Sequence, residues 1–85
     1  MESVLVAIYD SKAQTYTAPR TEKTIEVARR GFADAVNDPK KESALAIHPE
    51  DYTLFRIGTY NHETGVVTHE DKISIANGVD VLLEQ

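Results

Sequence analysis

Along the chain, apolar and polar positions separate into blocks of different period. Val4–Tyr9 is an unbroken apolar run rich in β-branched residues and bounded by Asp10-Ser11, the pattern of a buried strand. A loop is expected through Ala18-Pro19-Arg20. From Thr21 to Asn37 the apolar residues Ile25, Ala28, Phe32, Ala35 and Val36 recur at three- and four-residue steps, which describes one stripe of an amphipathic helix. Thr21 is the expected N-cap, and Pro39 ends the helix by disfavouring helical geometry at Asp38. Gly31 is costly inside a helix and suggests either a close approach to the sheet or simple tolerance.

In the second half, Ile47-His48-Pro49-Glu50-Asp51 reads as a turn that delivers a strand over Tyr52–Tyr60. Asn61-His62-Glu63-Thr64-Gly65 matches a hairpin loop built on a type I turn with a left-handed glycine, and Val66–His69 is its return strand. Ile73, Ile75, Val79 and Val81 predict a further strand interrupted near Asn77-Gly78, with a short helix at Asp80–Gln85 as the alternative. The predicted fold is a single α+β domain over residues 1–85, in the order β-α-β-β-β. One helix packs on one face of a mainly antiparallel sheet. Nothing remains to cover the other face, which must be solvated, paired with another subunit or used for binding.

Eighty-five residues leave no room for a second domain. The absence of cysteine removes disulfides, thiolate zinc sites and a thiol nucleophile. The net charge of −5 argues against a uniformly basic coat for nucleic acid, but the charge is unevenly spread. Residues 1–11 carry −2, residues 12–41 carry +3 and residues 42–85 carry −6. No apolar run approaches the length of about 20 residues that a membrane helix needs. Glu2 stands where a signal peptide would carry positive charge. A cytoplasmic protein without membrane contact is expected.

Alternation along the Tyr52–Tyr60 strand sorts its side chains into two sets. Phe55 and Ile57 are read as facing the helix, which puts Tyr52, Arg56 and Tyr60 on the open face. Aromatic rings interleaved with a guanidinium suit the stacking of single-stranded bases. The alternative is that the tyrosines cover apolar sheet surface, alone or at a dimer interface. Arg29, Arg30, Lys40 and Lys41 flank the predicted helix and are candidates for holding phosphates. Lys23–Glu26 and Arg30–Asp34 have the spacing of ordinary helical ion pairs, which would explain much of the pattern without a ligand. His48, His62 and His69 lie beside turns without metal-ligand spacing, so no metal site or cofactor is expected. No nucleophile, base and acid converge, and no phosphate-binding or dinucleotide motif occurs; an enzyme is not expected.

Three stretches carry a resemblance: Ala7–Ala13 (AIYDSKA), Arg30–Asp38 (RGFADAVND) and His48–Gly58 (HPEDYTLFRIG). Their order and spacing resemble the small nonstructural protein of gokushovirus-type microviruses, which are single-stranded DNA phages. The resemblance implies a non-capsid phage protein of the host bacterial cytoplasm, absent from the mature capsid shell. It also implies a DNA-binding role in replication or packaging of the genome. It brings no catalytic residues. Two functions follow from the chain as a whole. The first is a single-stranded DNA-binding accessory protein using Tyr52, Arg56 and Tyr60 with Arg29, Arg30, Lys40 and Lys41. The alternative is a protein–protein interaction module, a homodimer through the open sheet face or a dock for a replication protein, with no nucleic acid.

Overall fold

A computed structural model describes residues 1–83. Its element order is β1 (Glu2–Asp10), β2 (Thr15–Tyr16), β3 (Arg20–Glu22), α1 (Ile25–Val36), α2 (Ala44–Ile47), β4 (Tyr52–Asn61) and β5 (Val67–Asn77). Short 3₁₀ turns follow α2 at Pro49–Asp51 and β5 at Gly78–Val81. The small α+β domain predicted from the sequence is present, with one main helix and an open, antiparallel sheet. No helix among the described residues is long and apolar enough to cross a membrane.

The strands run β2-β1-β4-β5, and β3 joins the same side of β1 as β2. The expected Ala18–Arg20 loop is therefore only an interruption in an edge strand. Tyr16 pairs with Tyr9 and Arg20 with Val6, so the edge takes four steps where β1 takes three. The extra residue is absorbed at Thr17–Pro19, where Pro19 has no N–H to contribute to a ladder. Thr17 bridges the break: its N–H reaches the Ile8 carbonyl at 2.8 Å, and its Oγ1 accepts from the Ile8 N–H at 2.9 Å.

Because Thr21 is held opposite Leu5 in β3, the helix starts later than Thr21. Thr24 is the N-cap, with its Oγ1 accepting from the Val27 N–H at 3.1 Å. The twelve residues of α1 span about 18 Å. Ala28, Phe32 and Val36, four apart, form its buried stripe. They meet Val6, Leu54, Ala76 and Val81 in one core, with Val4, Ile8, Leu45, Tyr52 and Ile75 packed around it.

The β4–β5 hairpin has the expected turn. Gly65 adopts φ 74°, and its N–H bonds the Asn61 carbonyl at 2.8 Å. Beyond it the two separately predicted strands are one, β5, bent by register shifts opposite Leu54/Phe55 and Arg56/Gly58. The segment after Asn77 is a 3₁₀ turn that delivers Val81 to the core. The last two residues of the alternative helix, Asp80–Gln85, lie outside the described residues. The Ile47–Asp51 turn is also more structured than expected, since Ser43 caps α2 by accepting from the Ala46 N–H.

Candidate functional site

Which side chains meet the open face follows from the cross-strand partners, and here the sequence reading of β4 is corrected. Residues directly opposite in an antiparallel pair share a face. Val6 belongs to the core beneath α1, so Val4, Val6, Ile8 and Asp10 mark the helix-covered side of β1. Opposite them stand Thr59, Arg56, Leu54 and Tyr52. Leu54, not Phe55, is therefore the helix-facing residue of β4, and Tyr52 packs against the same core.

Physically, both alternating sets of β4 contain apolar residues, so periodicity alone cannot orient the strand. Leu54 is drawn inward by Ile8 and Ala76 on either side of it. The register shift then places Ile57 as an extra residue between Arg56 and Gly58. Tyr60, opposite Ser3, consequently falls on the uncovered side while Tyr52 and Arg56 do not. Tyr52, Arg56 and Tyr60 do not form one platform.

Each has a local role instead. Arg56 donates from Nε to Glu70 Oε1 at 3.0 Å, in a partly exposed ion pair. The Tyr60 ring stands edge-on to His62 at 5.0 Å, and His62 Nε2 is 2.6 Å from Ser3 Oγ. Burial raises the Tyr52 phenol above its ordinary value of 10.0, and the facing Asp10 carboxylate and Asp51 push the same way. Arg29 and Arg30 are exposed on α1, and Lys40 and Lys41 follow its C-terminal end. All four belong to the helix side, across the sheet from the open face. The anticipated Lys23–Glu26 and Arg30–Asp34 ion pairs do not form.

The open face has its own aromatic cluster, from residues that alternation along β4 alone did not bring together. Tyr9 and Tyr16 are register partners on β1 and β2, with ring centroids 4.7 Å apart. Tyr16 also meets the Phe55 ring edge-on at 5.9 Å. Lys72 from β5 places its Nζ 5.6 Å from the Tyr16 ring centroid, within cation–π range. Tyr16 keeps 44% of its surface exposed. Beside it lies an open hollow of about 300 Å³ lined by Ala7, Tyr16, Thr17, Pro19, Ile57, His69 and Lys72. Tyr9 closes the first predicted strand, but Tyr16, seven residues on, lies in a stretch without periodicity of its own, so nothing local pairs the two.

Charge is sorted between the two faces. Glu2, Asp10 and Glu22 all occupy register positions of the helix-covered side. The paired positions of the open face, among the described residues, hold no carboxylate. Glu70 and Asp71, beside Lys72 in β5, fall in the register shift and have no ladder partner. Elsewhere, the turn at Pro49 brings His48, Glu50 and Asp51 together, with ligand-type atoms within 4.8 Å of one another. His48 and Glu50 are exposed and 3.7 Å apart, the arrangement of a surface ion pair.

The fold and this surface define a class: a small α+β protein whose sheet is covered by helix on one side and presents an aromatic face on the other. A family model described as Phage ORF5 protein matches residues 3–81, and the chain belongs to that family. No curated protein and no solved structure matches the chain.

Proposed function

We propose that this phage protein is a non-enzymatic accessory factor that binds single-stranded DNA on the uncovered face of its sheet. It would act in replication or packaging of the genome of a gokushovirus-type microvirus. Its place is the host bacterial cytoplasm, outside the mature capsid shell. The observation that carries this reading is the Tyr9–Tyr16–Phe55 cluster with Lys72 above the Tyr16 ring, on the face that α1 leaves uncovered. Stacking of a base on an exposed ring is worth about 1–3 kcal/mol and tolerates any sequence. Lys72 and His69 border the hollow beside Tyr16, where a phosphate next to a stacked base would lie.

The test is anisotropy of a fluorescent oligothymidine titrated at about 50 mM salt and again at higher salt. Binding that weakens steeply with salt, and that falls roughly 5–100-fold in Tyr16→Ser, is the expected result. Absence of binding at high protein concentration would overturn it. The apolar members of the same face, with Val67 62% exposed, favour a second reading in which another copy covers it. A concentration-dependent dimer in light scattering that Tyr16→Ser dissociates, without any oligonucleotide affinity, would establish that reading instead.

A further inference from the structure

On the helix side of the sheet, α1 does not close completely onto β1 and β3, and the gap shares Ala7 and Thr17 of the sheet edge with the hollow beside Tyr16. A cleft of about 180 Å³ remains, lined by Val6, Ile8, Ala28, Phe32, Leu45 and Leu54. Gly31 borders it, and a methyl group built there would meet no atom within 4 Å. The walls are mostly apolar, with Thr17 as a polar member. The rim is not: Arg20 and Glu22 of β3 also line the cleft, with a long 3.7 Å contact between them, and the Arg20 side chain is 75% exposed.

We infer that this cleft is a binding site for a small, uncharged aromatic molecule, one ring in size and carrying a polar substituent. Volume sets the size, since an apolar protein cavity of about 150 Å³ is known to accept benzene. The chemistry of the walls sets the apolar ring: such a surface holds water poorly, because a buried water needs two to four polar partners. The rim sets the substituent. The Arg20 guanidinium offers only donors and the Glu22 carboxylate only acceptors, so a hydroxyl at the mouth can be served from either side and a ring N–H by Glu22. Their opposite charges disfavour a charged ligand of either sign.

The test uses the whole protein with phenol, and with benzene as the probe lacking a polar group. Both ligands are titrated against the thermal midpoint and against the NMR signals of Ala28 and Phe32. A ligand that binds only the folded state raises the midpoint by mass action; at about ten times its Kd the rise is roughly 5–10 °C for a domain this small. The expected result is a saturable rise with shifts confined to the cleft, larger for phenol than for benzene. Gly31→Leu, which lays an isobutyl group over the cleft, should abolish the rise, and Gly31→Ala should retain it. No saturable rise with either probe, or an equal rise in Gly31→Leu, overturns the inference. Tyr16→Ser, which weakens oligonucleotide binding, should leave the phenol-induced rise in place because Tyr16 does not line the cleft, so the two sites are judged separately.

Discussion

Tyr52 stands opposite Asp10 across the β1–β4 ladder, on the side of the sheet that α1 covers. Burial and the neighbouring carboxylates keep its phenol protonated beyond the ordinary tyrosine range. A group whose folded pKa exceeds its unfolded value contributes stability that is complete below the unfolded pKa. That contribution is lost as pH rises through the folded one. Stability should therefore fall from about pH 10 upward as Tyr52 ionises. Tyr52→Phe should flatten that decline, as read from urea midpoints over the alkaline range. Ultraviolet titration of wild type should show Tyr52 among the last tyrosines to ionise.

Asn37 fastens the end of α1 to the C-terminal segment. Its Nδ2 donates to the carbonyls of Ala33 and Val81, each at 2.8 Å, and its Oδ1 accepts from the Leu83 N–H at 2.9 Å. Asn37→Ala removes all three bonds; the Ala33 carbonyl keeps the Asn37 N–H at 2.9 Å, while the partly buried Val81 carbonyl loses this donor. A loss of about 1–3 kcal/mol is expected from denaturant unfolding. Amide exchange should accelerate first at Val81–Leu83.

Two glycines permit close backbone contacts. A Cβ on Gly58 would collide with the Thr68 carbonyl across the β4–β5 ladder, and one on Gly78 would collide with the Pro49 carbonyl. Neither obstacle is a flexible side-chain end. Gly58→Ala and Gly78→Ala should each lower the thermal midpoint, by roughly 4–8 °C for every kcal/mol lost. Gly31→Ala should raise it, because the site is open and alanine is favoured over glycine in a helix by about 1 kcal/mol.

The two faces also make opposite predictions for their cations. If the aromatic face binds DNA, Lys72→Ala should weaken oligothymidine affinity and lower the salt slope by about one. Removing Arg29, Arg30, Lys40 and Lys41 together should leave the slope nearly unchanged, since they project from the helix side. Arg56→Ala should have little effect on binding and cost about 1 kcal/mol or less of stability, as expected for a partly exposed pair with Glu70. Equal losses of affinity from both sets would point to a path around the sheet edge.

Much of the fold was legible because it is written in local chemistry. The Ala28–Phe32–Val36 stripe needs only helical periodicity, and the Gly65 turn needs only a residue tolerant of positive φ. Thr24 displaced Thr21 as the cap because β1 claims Thr21 for its edge, a long-range pairing. The candidate site was read less well for the same reason. Tyr52, Arg56 and Tyr60 share an alternation pattern, but the extra residue at Ile57 separates them onto opposite faces.

By itself, then, the sequence determined the α+β class, the long helix with its buried stripe, the β4–β5 hairpin, and that one sheet face would stay uncovered. These depend on period, turn chemistry and chain length. Only the tertiary structure decided which face that is, because both alternating sets of β4 are apolar enough to be buried. Ile8 and Ala76 made the choice by pairing with Leu54, and their choice left Phe55 outside with Tyr9 and Tyr16. Side chains are assigned to a face by their neighbours across the ladder, and those neighbours lie tens of residues away in the chain.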